Sequence, residues 1–192
     1  MKIGFFGGCF NPPTIAHIAL ANKVLIETNL DKVIFVPVGD FYKKKELTSA
    51  KERYNMLKLV CDDLKNIEVS DIELDIKETL YAIDAFKLIE EKYRNDEIYF
   101  IMGADNFINL TKWKAGKELI EKYKYIVLER DNIDIEEYVT NNLKEYKNKI
   151  KIVKNEEYGD FSSSMFRENN DFSIVPNNVL KYIKENNLYK IS

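Results

Sequence analysis

The sequence predicts an α/β fold in which helices cover a parallel sheet. Short apolar runs alternate along the chain with longer segments whose apolar residues recur at helical spacing. Strands that alternate with helices form βαβ units, and such units pair their strands in parallel. The chain has 192 residues, of which 45% are hydrophobic, so residues 1–192 are predicted to form a single domain with a sizeable core.

Six apolar runs are predicted to form the strands of this sheet. They are Ile3–Phe6, Val33–Val38, a weaker run at 67–72, Ile98–Met102, Tyr125–Leu128 and Lys149–Val153. An open parallel sheet binds its ligands at the carboxyl ends of the strands, where the strand order reverses. The loops that follow Phe6, Val38 and Met102 are therefore the predicted place of the functional site.

Helices are predicted in the segments between these strands. Apolar residues at helical spacing predict helices over Ile15–Thr28 and around 82–93. The capping pattern Ser49-x-x-Glu52 predicts a helix from residue 50 onward, and Pro176 suits the first turn of a helix near the end of the chain. The lysine- and glutamate-rich segment between Asp131 and Tyr158 lacks proline and keeps several apolar residues. It is predicted to be a solvated helix.

The composition argues against several classes of function. A formal net charge of −3 argues against nucleic acid as a partner, because a phosphate backbone needs a basic face. The chain has no apolar run of the ~18–20 residues that a membrane span needs, and its first residues lack the pattern of a signal peptide. Its two cysteines, Cys9 and Cys61, do not suggest a disulfide framework. These observations favour a cytoplasmic protein.

The first candidate site motif is the segment Gly7–His17, which follows the first predicted strand. Gly7 and Gly8 are expected to form a turn and to let a ligand approach the backbone closely. Thr14 is a natural helix cap, and His17 lies one turn later on the same face. A hydroxyl and an imidazole beside the amide groups of a helix N-terminus make a cradle for phosphate. The alternative is a plain strand-turn-helix unit with a core histidine.

A second motif, Ser162–Arg167, lies near the end of the chain. Its serines cap a helix and offer hydroxyl and amide groups to an anion. Arg167 falls on the helix face that Ser163 and Ser164 share, and a guanidinium binds phosphate through two parallel hydrogen bonds. The alternative is an ordinary serine-capped helix with a surface arginine.

Two further segments follow predicted strands. Gly103-Ala104-Asp105 ends the fourth strand, where a carboxylate suits a contact with a ribose or an amide. Trp113, the single tryptophan, follows it and offers a face for stacking on a flat ring, with core packing as the alternative. A run of three lysines, 43–45, follows the second strand, and one of them is expected to meet a phosphate.

Together these segments resemble the nicotinate/nicotinamide mononucleotide adenylyltransferases of the nucleotidyltransferase superfamily. The stretch GGCFNPPTIAH is similar to an opening signature that ends in (His/Thr)-x-x-His, and FSSSMFR is similar to the closing signature Ile-Ser-Ser-Thr-x-Ile-Arg. GADNFINLTKW is similar to the segment that holds the pyridine nucleotide. VPVGDFYKKKEL, followed by Arg53 and Met56, looks closest to the form of eukaryotic members. The resemblance covers nearly the whole chain.

The resemblance implies a Rossmann-like, doubly wound parallel sheet with a small helical C-terminal part at about 160–192 that carries the closing signature. It also implies an enzyme that joins the AMP part of ATP to a pyridine mononucleotide and releases pyrophosphate. His17, Thr14 and Arg167 are its catalytic candidates.

The same resemblance assigns the candidate binding residues. Contacts with ATP are expected from Gly7, Gly8, Phe10, His17, Ser163 and Arg167, and contacts with the mononucleotide from Lys44, Asp105 and Trp113. Mg²⁺ is expected to arrive with ATP, held by phosphates and water rather than by a dedicated cluster of protein ligands. A homo-oligomer is compatible with these expectations.

Departures from the family pattern keep alternatives open. Ala82 and Ala85 stand where the family often has threonines, so both nicotinate and nicotinamide mononucleotide remain candidate acceptors. The segment from Arg167 to Pro176 is shorter than usual. The alternative functions are a phosphopantetheine adenylyltransferase or a cytidylyltransferase of the same superfamily, and a nucleotide-binding regulator without turnover.

Overall fold

A computed structural model describes residues 1–42, 46–129, 133–155, 163–169 and 171–190. Its strands are β1 (Lys2–Gly8), β2 (Lys32–Pro37), β3 (Ile67–Val69), β4 (Glu97–Gly103), β5 (Lys124–Leu128) and β6 (Ile150–Val153). Within the described residues these six strands form one sheet in the order β3-β2-β1-β4-β5-β6, and every neighbouring pair is parallel.

Helices connect the strands. They are α1 (Ile15–Thr28), α2 (Ala50–Cys61), α3 (Ala82–Lys92), α4 (Ala104–Phe107), α5 (Gly116–Lys122), α6 (Ile135–Asn142), α7 (Ser163–Asn169) and α8 (Asn177–Glu185). Short 3-10 turns cover Leu110–Lys112, Lys144–Lys149, Phe172–Ile174 and Leu188–Lys190. In the described part of the chain, no helix has the length and apolar character needed to cross a membrane.

The two faces of the sheet bury different side chains because successive residues of a strand point to opposite faces. Phe5 belongs to a core cluster that includes Phe86 and Phe107, on the side of α3 and α4. Phe6 belongs to a second cluster that includes Leu20 and Leu57, on the side of α1 and α2. Helices therefore cover both faces, and the predicted Rossmann-like, doubly wound parallel sheet is confirmed.

A smaller third cluster holds α7 and α8 against α2. Met56 and Val60 of α2 are buried together with Phe166, Val179 and Ile183. Ser49 caps α2 by accepting a hydrogen bond from the Glu52 N–H at 3.2 Å, as the capping pattern predicts. The packing of Phe166 matters for the site because it fixes the helix that carries Arg167.

The strand order reverses between β1 and β4, which are direct neighbours in the sheet. From β1 the chain builds one half of the sheet through β2 and β3, and from β4 it builds the other half. The loops after β1, β2 and β4 consequently leave from one edge of the sheet. This is the switch point where doubly wound sheets bind ligands.

The structure corrects the predicted turn at Gly7 and Gly8. Both glycines continue β1, where they pair with Val36 and Pro37 of β2. The chain turns two residues later, at Phe10, whose φ is 46°. The glycines therefore extend the strand to the edge of the sheet instead of ending it.

The prediction of one helix between Asp131 and Tyr158 is wrong. The helix α6 is only about two turns long and ends at its C-cap, Leu143. Only two of its side chains, those of Ile135 and Val139, are buried and hold it against the core. The following six residues, Lys144–Lys149, are mainly charged and form a 3-10 turn that leads into β6. An apolar stripe long enough to hold a longer helix against the core is missing from this segment. Residues 130–132 and 156–162 lie outside the described residues.

Candidate functional site

His17 lies in the first turn of α1 and is held by Thr14, which caps that helix. The Thr14 backbone N–H donates to His17 Nδ1 at 3.0 Å, and Thr14 Oγ1 lies 2.8 Å from the same nitrogen. Thr14 is buried, whereas His17 is half-buried. The two residues therefore lie together on one face of the helix, with the imidazole on the more accessible side.

The backbone contact determines which nitrogen of His17 carries a proton. A backbone N–H can only donate, so Nδ1 must accept, and the proton of the neutral ring lies on Nε2. In this tautomer Nε2 is a hydrogen-bond donor. A donor on a rigid helix at the switch point suits an anionic oxygen.

Phe10 makes the turn between β1 and α1. Its positive φ is unfavourable for a bulky residue and is maintained by burial of the ring, which is 2% exposed. The ring meets His17 edge-on with 5.0 Å between centroids. A Cβ at Gly8 would lie 3.0 Å from this ring. Since the ring is part of the core, any contact of Phe10 with ATP would be made by its backbone.

Gly7 differs from Gly8 in its surroundings. A Cβ built at Gly7 would meet nothing within 4 Å, and the residue is exposed. Its φ is not positive. Neither packing within the chain nor backbone conformation therefore requires a glycine at this position.

The second motif is attached directly to the first. Arg167 Nη1 donates to the Asn11 carbonyl at 2.7 Å and to the Ser163 carbonyl at 3.0 Å, while Nη2 donates to Ser164 Oγ at 3.3 Å. Ser163 Oγ donates to the Pro12 carbonyl at 2.7 Å. Segments about 150 residues apart in sequence thus form one unit beside His17. Ser162 lies outside the described residues.

Arg53 is a structural centre of the site, although the sequence patterns that included it gave it no role. It is fully buried on α2 and donates to three backbone carbonyls, those of Cys9 at 3.0 Å, Val38 at 2.6 Å and Thr48 at 2.8 Å. It therefore joins the loops after β1 and β2 to the start of α2. Burial lowers the pKa of Arg53, but an arginine remains protonated at any physiological pH.

The position of Arg53 in the sequence indicates that its side chain is buried. It falls on the apolar stripe of α2, between Ala50 and Met56, where a charged residue is unusual. Asn11 is a second residue that sequence reasoning passed over, although it lies inside the opening motif. It is 1% exposed and its side chain bridges distant segments. Nothing in the local sequence indicates those partners.

The loop after β2 is fixed on both sides of the lysine run. The Gly39 N–H donates to Glu73 Oε2 at 3.0 Å, and burial raises the pKa of Glu73. Asp40 Oδ1 accepts from the Ala50 N–H at 2.5 Å. After the run, the Glu46 carbonyl accepts from Asn11 Nδ2 at 3.0 Å. The predicted site residue Lys44 lies outside the described residues, together with Lys43 and Lys45.

Asp105 and Trp113 follow β4 on the opposite side of the switch point. Asp105 is exposed in the short helix α4. Trp113 ends the 3-10 turn Leu110–Lys112, where its N–H donates to the Leu110 carbonyl at 3.1 Å. It is half-buried and packs partly against the first core cluster. The core-packing alternative for Trp113 is therefore met in part, and its stacking on a ligand stays a prediction.

Comparisons with known proteins agree with the arrangement of these motifs. The family described as cytidylyltransferase-like matches residues 5–169. A probable nicotinate-nucleotide adenylyltransferase of Carboxydothermus hydrogenoformans is 34% identical, with 98% of each chain covered. The nicotinate-nucleotide adenylyltransferase of Bacillus subtilis is 31% identical, also with 98% of each chain covered.

This chain belongs to the nicotinate-nucleotide adenylyltransferase family. The fold agrees with that of solved structures that carry the same family name. The nicotinic acid mononucleotide adenylyltransferase of Plasmodium falciparum, complexed with NaAD, superposes with a TM-score of 0.84 at 23% identity. The superposition covers 100% of this chain and 98% of the other. The family assignment suggested by the two signatures is confirmed, and the match extends over the whole fold.

In the described segments, no group of three His, Cys, Asp or Glu side chains is placed to hold a metal ion. The donors around the first loop are an imidazole, a guanidinium, hydroxyls and backbone amides. Hydrogen-bond donors of this kind suit the oxygens of a phosphate group.

Proposed function

We propose that this enzyme transfers the adenylyl group of ATP to nicotinate mononucleotide, forming the nicotinate dinucleotide and pyrophosphate. The observation that carries the proposal is that the two signature segments are hydrogen-bonded to each other at the switch point of the sheet. His17 presents an Nε2 donor, and Arg167 is bonded to the loop that precedes the same helix. The names of the relatives support nicotinate mononucleotide as the acceptor.

In the proposed reaction, a phosphate oxygen of the mononucleotide attacks the α-phosphorus of ATP in line. The bond from that phosphorus to the oxygen bridging to the β-phosphorus breaks, and its electron pair leaves with pyrophosphate. No covalent intermediate with the protein is needed. Catalysis of this kind depends on positioning and on stabilisation of negative charge.

We assign the ATP side of the site to the first loop and α7. His17 Nε2 donates to the α-phosphate and stabilises the charge that develops there, while Thr14 holds the tautomer. Arg167 binds the β- and γ-phosphates, and the Ser163 hydroxyl would join it by exchanging its bond to the Pro12 carbonyl for one to a phosphate oxygen. A guanidinium carries more N–H donors than the three bonds of Arg167 to Asn11, Ser163 and Ser164 use. The open space at Gly7 leaves room for the nucleotide, and the backbones of Gly8 and Phe10 would contact it.

We assign the mononucleotide side to the loops after β2 and β4. Lys44 would meet the mononucleotide phosphate, and the hydrogen bonds of Gly39 and Glu46 tether the segment on each side of it. Asp105 and Trp113 would orient and stack the pyridine ribonucleotide. Mg²⁺ bound to the ATP phosphates would neutralise part of their charge.

The direct test of the proposal is identification of the products. Purified protein is incubated with ATP, Mg²⁺ and nicotinate mononucleotide, and the mixture is separated by ion-exchange chromatography. We expect dinucleotide and pyrophosphate in equal amounts, and no release of inorganic phosphate. Binding of ATP without dinucleotide formation would favour the alternative function, a nucleotide-binding regulator without turnover. Inorganic phosphate as the product would contradict adenylyl transfer.

Substitution of Arg167 by lysine is expected to raise the KM for ATP by about 10–100-fold. A lysine keeps the charge but cannot reproduce the planar fork, and loss of one or two charge-assisted hydrogen bonds has this magnitude. The KM for the mononucleotide should change much less. Steady-state kinetics with each substrate varied in turn provides the measurement. A rise confined to the mononucleotide KM would show that the two substrates are assigned to the wrong ends of the site.

Substitution of Trp113 by alanine is expected to weaken mononucleotide binding while the KM for ATP stays nearly constant. Loss of stacking is worth about 0.5–1.5 kcal/mol, or about two- to twelvefold in binding. Trp113→Phe retains an aromatic face and is the matched control, with a smaller expected change. Because Trp113 also touches the core, thermal unfolding of both variants is measured. Equal binding by W113A and the wild type would remove Trp113 from the site.

A further inference from the structure

Tyr189 lies far from the opening motif in sequence but contacts it in space. It stands in the 3-10 turn Leu188–Lys190, and its hydroxyl donates to Asn11 Oδ1 at 2.8 Å, across 178 positions of the chain. Its ring meets Phe166 edge-on with 5.4 Å between centroids. The backbone of Tyr189 is left-handed, with φ 63° and ψ 12°, which is unfavourable for a tyrosine. The surrounding contacts maintain this conformation.

Asn11 connects Tyr189 to the rest of the site. Its Oδ1 also accepts from the Thr48 N–H at 3.1 Å, and its Nδ2 donates to the Glu46 carbonyl at 3.0 Å. Its own backbone carbonyl accepts from Arg167 Nη1 at 2.7 Å. One buried residue therefore joins the first loop, the segment that follows the lysine run, and the guanidinium assigned to the triphosphate.

We infer that Tyr189 is a positioning residue for the triphosphate end of the site, acting on Arg167 through Asn11 and Phe166. Asn11 supplies the carbonyl that holds the Arg167 guanidinium, and Phe166 precedes Arg167 on α7. Tyr189 contacts both residues, one with its hydroxyl and the other with its ring. The inference rests on the proposed function insofar as Arg167 is taken to bind ATP.

The hydroxyl of Tyr189 stays protonated at neutral pH. Burial raises the pKa of Tyr189 to about 12, although a hydrogen bond with the Thr48 side chain and the nearby Arg53 and Arg167 act in the opposite direction. The group is therefore a hydrogen-bond donor throughout the neutral range. With Tyr189 and Thr48 both donating to Oδ1, the amide of Asn11 is oriented so that Nδ2 faces Glu46.

The test compares two tyrosines that differ in the partner of their hydroxyl. Tyr189→Phe keeps the ring on Phe166 and removes the bonds of the hydroxyl to Asn11 and to the Thr48 side chain. Tyr182→Phe is the matched control, because its hydroxyl bonds Glu52 at 2.7 Å and Asn55 at 2.9 Å and so links α8 to α2 instead. We expect Y189F to raise the Kd of a non-hydrolysable ATP analogue by about fivefold, the scale of one hydrogen bond. Y182F should leave that Kd unchanged.

Calorimetric titration and thermal unfolding of both variants separate positioning from general stability. The inference is supported if both variants lose a similar, small amount of thermal stability and only Y189F has a raised Kd for the ATP analogue. An unchanged Kd in Y189F, an equal rise in both variants, or a Y189F protein that does not fold would overturn it. Because binding is measured without turnover, a wild-type protein that binds the analogue but makes no dinucleotide rejects the proposed function and leaves this comparison valid.

A double-mutant cycle with Asn11→Ala tests the route of the effect. If Tyr189 acts through Asn11, the Kd of the N11A/Y189F protein should equal that of N11A, because the acceptor of the hydroxyl is already absent. Independent, additive rises in the Kd would contradict the route through Asn11. The mononucleotide KM serves as a second readout and should not respond to Y189F.

Discussion

Substitution of His17 by alanine is expected to lower kcat by about 10²–10³-fold while the protein keeps its fold. This is the scale on which enzymes lose activity when one preorganised donor to a developing negative charge is removed. The imidazole is half-buried at the edge of the core, so its removal should cost little stability. The measurement is steady-state kcat at saturating ATP and mononucleotide, with circular dichroism as a check on folding.

A comparison with Thr14→Val makes the His17 prediction sharper. This variant removes the hydroxyl beside Nδ1 but keeps the backbone N–H that donates to the same nitrogen. If the backbone sets the tautomer, T14V should lose only about fivefold in kcat, the scale of one hydrogen bond. A loss as large as that of H17A would show that the hydroxyl controls the imidazole. Near-wild-type turnover by a folded H17A protein would remove His17 from the chemistry.

Substitution of Arg53 by alanine is expected to lower the free energy of unfolding by about 3–5 kcal/mol. The change leaves the carbonyls of Cys9, Val38 and Thr48 without their donor and opens a cavity beneath the site. Urea unfolding followed by circular dichroism gives the measurement. The carbonyls of Cys9 and Val38 belong to the loops after β1 and β2, which form part of the site. We therefore also expect the folded fraction of R53A to be less active.

Lys58→Ala is the control for Arg53, because it removes a cation from the same helix. Lys58 is exposed and bonds Asp62 at 2.9 Å, an arrangement that contributes little to stability because water screens it. A loss below about 1 kcal/mol in R53A, comparable to that in K58A, would contradict the role of Arg53 as the link between the loops.

Much of the fold could be predicted from local sequence because local physics determines it. The helix α1 begins and ends where the helical spacing predicted, and Ser49 and Glu52 mark the start of α2. The strands were recognisable as apolar runs because both faces of a doubly wound sheet are buried. The segment after Asp131 was predicted wrongly, since charged residues allow a helix without requiring one, and only Ile135 and Val139 anchor it.

The contacts that assemble the site could not be predicted in the same way. Asn11 meets Glu46, Thr48, Arg167 and Tyr189, and these partners lie 35–178 positions away. Such pairs depend on the packing of α2, α7 and α8, which no local pattern specifies. The signatures indicated which residues matter, whereas the mutual support of Asn11, Arg53 and Tyr189 became visible only in the folded chain.

The measurement that tests the central claim most directly is a panel of acceptors with pyrophosphate release as the readout. Purified protein is incubated with Mg²⁺ and either ATP or CTP, together with nicotinate mononucleotide, nicotinamide mononucleotide, phosphopantetheine or glycerol 3-phosphate. We predict that ATP with a pyridine mononucleotide is the best pair. The ratio between the acid and the amide should stay below the ~10⁴-fold discrimination of a site built around a dedicated buried polar partner, because Ala82 and Ala85 offer no side-chain donor. Strong turnover of phosphopantetheine or glycerol 3-phosphate, with none for either pyridine nucleotide, would contradict the proposed function.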